Sequence, residues 1–263
     1  MEKEERRLHH ILKELNSVLV AFSGGVDSTF LLSAARETLG DRVLAVTADS
    51  PVHPRRELSQ ARRLARELGV RHRIVRSREF DDHRFVRNGP RRCYYCKKGL
   101  FTMLLDIARE EGLAAVVDGS NRDDLDDYRP GAEALRELGI RSPLQEAGLT
   151  KKDIRRLSRR KGLSTWDHPA QACLASRIPY GTELAGKDLK MVERAEEALH
   201  DMGYARVRVR HHGRLARIEA DAGDLQRLLA DRQQVAAALK GAGYLYVAMD
   251  LEGYRRGSLN EAL

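Results

Sequence analysis

The chain is poor in cysteine, has a single tryptophan and contains no long hydrophobic run. Three cysteines in 263 residues, an odd number, exclude a disulfide framework and point to metal or thiol chemistry. The longest apolar runs, such as residues 113–117, fall far short of the roughly 18 residues that a membrane span needs, so no membrane partner is expected. Met1 to Arg7 are mostly charged and lack the apolar segment of a secretory signal, so a cytoplasmic protein is expected. Lysine is scarce as well: of 47 basic residues, ten are Lys and 37 are Arg.

Enough remains for a core. With 42% hydrophobic residues the chain is not globally disordered. At about 150 residues per domain, its length suggests one or two domains. A formal net charge of +8 suits nucleic acid, a membrane surface or small anions. A solvated basic surface is the favoured reading of it, and no basic stretch interleaved with aromatics marks a nucleic-acid face.

Hydrophobic spacing predicts helices over residues 3–15, 58–68, 97–110, 150–161, 189–202 and 224–239, with another after Ser28. Short apolar runs at 18–22, 43–47, 74–75 and 114–117 read as buried strands; 206–210, 214–220 and 244–249 read as strands of a second kind. Strands alternating with helices indicate an α/β fold, a parallel sheet with helices on both faces, followed by a small α+β domain. The expected boundaries are 1–167 for the sheet domain, 168–185 for a cysteine-containing linker loop and 186–263 for the small domain.

The first strand runs straight into Ser23-Gly24-Gly25-Val26-Asp27-Ser28 and then a helix. Such a turn aims backbone N–H groups and hydroxyls at a phosphate, helped by the positive end of the helix, and its glycines let the backbone approach closely. It lacks the GxGxxG and Gly-Lys-Ser/Thr signatures. It resembles the SGGxDS loop of the ATP-pyrophosphatase (PP-loop) superfamily. The resemblance implies that Ser23, Gly24, Gly25 and Ser28 hold the pyrophosphate of ATP, that Asp27 positions Mg²⁺, and that Ala48, in Thr47-Ala48-Asp49, borders the adenine.

Cys93 and Cys96 form a CxxC pair before Lys97, and Cys173 stands alone. Three thiolates can serve a metal centre. Zinc would want a fourth ligand, for which His72, His83 and His168 are candidates; a 4Fe-4S cluster on three cysteines keeps one iron open. A redox pair with a separate small core residue is the plainer alternative.

Together with the Ser23 loop, residues 118–131, 172–181 and 207–213 resemble the LarE family of ATP-dependent sulfur transferases, from about residue 10 to residue 255. The resemblance implies that a carboxylate of pyridinium-3,5-dicarboxylate mononucleotide is adenylated and converted to a thiocarboxylate, twice, for the nickel-pincer cofactor of lactate racemase. It implies ATP, Mg²⁺, a sulfide or other sulfur donor, and a homo-oligomer, hexameric in relatives. One branch of the family sacrifices the sulfur at the position of Cys173; a three-cysteine branch carries a 4Fe-4S cluster, and Cys93, Cys96 and Cys173 match the latter. Ser176, Arg177, Arg208 and Arg210 are then substrate contacts, and Glu196 and Glu219 hold a cation or orient the arginines.

Chemistry independent of the resemblance agrees: Arg206, Arg208 and Arg210 alternate on one predicted strand, where guanidinium groups could bind phosphate and carboxylates bidentately. Lys97 could neutralise charge as pyrophosphate leaves. Asp123, Asp124, Asp126 and Asp127 read mainly as a solvated loop, and Trp166 as packing. A tRNA-thiolating enzyme with the same loop and a non-catalytic cluster carrier are the competing readings, nucleic acid being disfavoured by the lack of an RNA-binding module.

Overall fold

The computed structural model describes residues 2–125, 130–169, 172–255 and 258. Asp126 and Asp127 lie outside the described residues. In chain order the elements are α1 (Lys3–Leu15), β1 (Val18–Ala21), α2 (Val26–Leu39), β2 (Val43–Asp49), α3 (Arg55–Glu67), β3 (Arg71–Arg76), α4 (His83–Val86), α5 (Arg92–Glu110), β4 (Ala115–Val117), α6 (Pro130–Glu137), α7 (Pro143–Glu146) and α8 (Lys151–Arg160). They continue with α9 (Gly186–Asp201), β5 (Val207–His212), β6 (Leu215–Ala220), α10 (Leu225–Ala230), α11 (Arg232–Gly241) and β7 (Tyr246–Met249). The chain divides into two units: Met1–Asp82 with Cys93–Gln171, and His83–Arg92 with Ala172–Leu263.

The first unit is a parallel sheet in the order β3-β2-β1-β4. Its central strand is apolar on both faces because both are covered. Val18 and Val20 join the core with Phe30, Leu31 and Ile154, whereas Leu19 joins Leu44, Phe101 and Leu104 on the other side. The chain leaves β1 for β2 and later returns to β4 on the opposite flank. Ligands of open parallel sheets bind beyond the strand carboxyl ends at such a reversal, and this is where the Ser23 loop sits.

The second unit holds a three-stranded sheet, β5 antiparallel to β6 and β6 parallel to β7, over a core that includes Leu199, Tyr204, Val209, Ile218 and Leu239. Here the sequence reading needs three corrections. Arg206 precedes β5 and is exposed, so two arginines rather than three belong to the strand. The single helix expected over 224–239 is broken at Asp231, whose carboxylate accepts from Tyr204 Oη at 2.6 Å. Helix α5 begins at Arg92, the last residue of the segment assigned to the second unit, which puts Cys93-x-x-Cys96 inside the helix rather than ahead of it. No helix among the described residues is long and apolar enough to cross a membrane.

Candidate active site

β1 ends at Ala21 and α2 begins at Val26, with Gly25 as its N-cap. Gly24 turns the chain at φ +75°, a conformation that glycine adopts at no steric cost; a Cβ there would stand 3.2 Å from Ala61 Cα. Two serines fold the loop on itself: Gly25 N donates to Ser23 Oγ at 3.3 Å, the two hydroxyls are 3.1 Å apart, and Ser28 Oγ donates to Gly25 O at 3.3 Å. From α3, Gln60 Nε2 donates to Gly24 O at 3.0 Å.

Asp27 stands in the first turn of α2. Burial pushes its carboxyl above the ordinary value, while the Lys151 ammonium, bonded to Oδ2, pulls the other way. The second oxygen, Oδ1, is buried without a hydrogen-bond partner. An ionised carboxylate with one such orphaned oxygen fits a hard cation, which takes oxygen ligands. Lys151 is delivered by the N-terminus of α8, where Thr150 and Asp153 form the capping box that the sequence predicts.

Beyond β4, Asp118 is buried and accepts from the Ser120 and Ser142 hydroxyls, each at 2.6 Å. Lys97 Nζ approaches it from α5 at 3.9 Å. Gly119 packs against the loop helix so closely that a Cβ would lie 3.1 Å from Ser28 N. The strand ends thus bring together Ser23, Gly24, Gly25, Asp27 and Ser28, with Lys97 beside Asp118 at the adjacent strand. Ala48 lies near the end of β2, next to Thr47, whose hydroxyl donates to Phe22 O at 2.7 Å.

The other expected cluster lies in the second unit. Cys173 caps a 3₁₀ turn, Leu174–Arg177. Arg177 and Glu196, both 3% exposed, form a two-point pair at 2.8 and 2.9 Å. The remaining arm of Arg177 donates to Ala172 O, Cys173 O and Ser176 Oγ at 2.7, 3.1 and 2.9 Å. Ser176 Oγ itself donates to Cys173 O at 2.8 Å. Arg210 repeats the arrangement with Glu219 at 2.8 and 2.7 Å and donates to Ser176 O at 2.6 Å. Glu196 also accepts from Val209 N at 3.0 Å.

Arg208, between them on β5, has its guanidinium 5.5 Å from the Tyr254 ring centroid. Burial, then the charge of Arg177, lowers its pKa; Glu196 opposes them and Arg210 adds to them. A positive group held among positive neighbours in a half-buried position favours an incoming anion.

Cys93 is exposed, and Cys96 and Cys173 are half-buried. Cys93 and Cys96 belong to the first unit and Cys173 to the second. Among the described residues, no group of three or more His, Cys, Asp or Glu is gathered to hold a metal. The histidines weighed as zinc ligands are otherwise placed: His72 Nε2 lies 2.8 Å from Thr47 Oγ1, His168 Nδ1 lies 3.1 Å from Gln60 Nε2, and His83 is exposed at the start of α4. Trp166 packs under Arg159, 4.9 Å from its guanidinium carbon.

Sequence reasoning missed three residues. Lys151 carries a faint signal, since it follows a capping box, and Asp118 another, a charge ending an apolar strand. Asn88 carries none. It is fully buried at φ +54°, with Nδ2 donating to Pro179 O and Thr182 O at 2.9 Å each and to Ile178 O at 3.4 Å. Arg92 donates to its Oδ1 and stacks 4.7 Å from the Tyr180 ring centroid.

The fold and its loop define the class: an α/β protein of the PP-loop, ATP-using kind. A family model described as asparagine synthase matches residues 9–89. Argininosuccinate synthase of Natronomonas pharaonis is 28% identical over 58% of this chain and 40% of its own length. Other relatives match over nearly the whole chain. An uncharacterised Synechocystis protein is 41% identical, covering 100% of this chain and 99% of its own length. The pyridinium-3,5-bisthiocarboxylic acid mononucleotide synthase of Lactiplantibacillus plantarum is 41% identical over 96% of this chain and 92% of its own length. The chain belongs to the LarE family.

Proposed function

We propose that this protein is an ATP-dependent sulfurtransferase acting on pyridinium-3,5-dicarboxylate mononucleotide. A substrate carboxylate oxygen attacks the α-phosphorus of ATP, the bond to the bridging oxygen breaks, and pyrophosphate leaves. A sulfide sulfur then bonds to the activated carboxyl carbon and AMP departs, leaving a thiocarboxylate. The cycle repeats at the second carboxylate, and the product serves a nickel-pincer cofactor. The observation that carries this reading is the near full-length match to a synthase of the bisthiocarboxylic acid mononucleotide, which spans the nucleotide loop and the arginine strand alike.

In this reading Ser23, Gly24, Gly25 and Ser28 receive the pyrophosphate and Ala48 borders the adenine. Asp27 would hold Mg²⁺, which would supply charge neutralisation along the phosphates; the orphaned Oδ1 supports the assignment. Lys97 faces the charge that grows as pyrophosphate leaves. Arg208 binds an anionic group of the mononucleotide, and Arg210 and Arg177, committed to Glu219 and Glu196, shape the Cys173 loop and Ser176 around it.

Cys93, Cys96 and Cys173 would hold a 4Fe-4S centre, which would supply the sulfide. Cysteine thiolates are the donors such a centre takes, and two of the three stand three residues apart on one helix and are therefore neighbours on its surface.

The test is anaerobic reconstitution with iron and sulfide, then incubation with ATP, Mg²⁺ and the dicarboxylate mononucleotide, with mass spectrometry of small molecules and protein. The expected result is AMP, pyrophosphate and thiocarboxylate with the protein mass unchanged. Absence of AMP removes the enzyme reading, and loss of one sulfur from the protein replaces the cluster with a sacrificed Cys173.

A further inference from the structure

One charged group at the nucleotide loop has no part in the reaction described above. Lys151 lies 124 residues from Asp27 in sequence, yet its ammonium bonds Asp27 Oδ2. Its backbone is fixed: the Thr150–Asp153 box starts α8 at this residue, and Lys151 N donates to Asp123 Oδ2 at 2.9 Å. Only the flexible side chain can move, and it is 30% exposed. The nearby Arg155 is not available as a substitute cation, since its two terminal nitrogens donate to Trp166 O and His168 O at 2.8 and 2.6 Å.

Free Mg²⁺ arriving at Asp27 would meet a positive charge already on the same carboxylate. Mg²⁺ arriving with ATP brings phosphate oxygens, which accept the ammonium that the metal displaces. In that exchange both cations keep an anionic partner, whereas in the first case a lysine is left unpaired beside a dication.

We infer that Lys151 is a displaceable counter-ion of Asp27, standing in for the metal in the empty site and passing to the phosphates when Mg·ATP enters, so that metal binding depends on nucleotide. The inference rests on the reading of Asp27 as the Mg²⁺ ligand. It makes Lys151 a phosphate-binding residue in the loaded site and a block to bare metal in the empty one.

Mn²⁺ binding, followed by electron paramagnetic resonance and calorimetry without and with ATP, tests it. Wild-type protein should bind Mn²⁺ weakly alone and tightly with ATP. Lys151→Met should tighten nucleotide-free Mn²⁺ binding about tenfold or more, the effect of removing one nearby positive charge, and weaken Mn·ATP binding. Adding Asp27→Asn to Lys151→Met should abolish the gain. Lys151→Gln serves as a second variant in case the methionine disturbs folding. Unchanged or weaker nucleotide-free Mn²⁺ binding in a folded Lys151 variant overturns the inference while leaving Asp27 as metal ligand. Undiminished Mn·ATP binding in Asp27→Asn alone overturns that underlying reading instead.

Discussion

Two carboxylates, the buried Glu196 and the half-buried Asp27, are displaced in opposite directions, and the difference separates a structural charge from a chemical one. Burial raises the pKa of Glu196, but the Arg177 charge and hydrogen bonds, aided by Arg208 and Val209 N, outweigh it and hold the group below its usual 4.5. Its ionised form therefore stabilises the fold above the unfolded value, and that contribution is lost as pH falls through the lower folded value. Asp27 behaves in reverse: its folded pKa lies above 3.8, so the ionised form at neutral pH is held at a cost that acidification relieves. Glu196→Gln should accordingly cost about 3 kcal/mol by stranding the Arg177 charge in a buried site. Asp27→Asn should cost less than about 1 kcal/mol in the nucleotide-free protein, the exposed end of Lys151 being free to reach water. Chemical denaturation at pH 7 measures both, and equal losses would mean the two carboxylates play the same part. The Ser23–Ser28 loop was legible in the sequence because its members are contiguous. The Asp27–Lys151 pair was not, because neither residue type nor spacing links positions joined only by the return of the chain from α7 to α8.

At the level of elements, β1, β2 and β4 of the parallel sheet were legible because burial makes them apolar runs, whereas the edge strand β3, exposed or half-buried throughout, showed only Ile74-Val75. The start of α5 was not: Arg92 and the cysteines carry no apolar period, and the first turn is set by tertiary contacts instead. His83–Arg92 is the sharpest instance of that limit, since a segment ahead of Cys93 packs with the second unit and not with its sequence neighbours. Asn88 holds it there by donating to the turn at residues 178–182, while Gly181 N and Leu184 N donate back to Asn88 O and Val86 O at 3.1 and 2.9 Å. Asn88→Ala would leave buried carbonyls without a donor and put a residue less tolerant than asparagine at positive φ, a loss of about 2 kcal/mol. Asn88→Asp should lose more, because a carboxylate would face three carbonyl oxygens. Thermal unfolding gives the ranking, and an Asp variant as stable as wild type would show that the amide donor is not what secures the segment.

For the whole molecule, the +8 charge and the three cysteines ask different questions. The charge resolves into local pairings: Arg177 and Arg210 are buried against Glu196 and Glu219, so a fraction of the arginines is architecture rather than an anion-attracting surface. The cysteines are instead divided between the units, two on α5 and one at the head of the 3₁₀ turn. If they serve one iron–sulfur centre, removal of any one affects the same function, whichever unit carries it. Cys93→Ser, Cys96→Ser and Cys173→Ser should each lose iron after anaerobic reconstitution and each fail to form thiocarboxylate. All three should still release AMP-linked intermediate and pyrophosphate from ATP and the mononucleotide, because adenylation needs no thiol. Pyrophosphate release and iron content, measured side by side, make this decisive. Thiocarboxylate formed by the Cys93 and Cys96 variants, with one sulfur missing from Cys173, would assign sulfur donation to that residue alone and leave the CxxC pair outside the reaction.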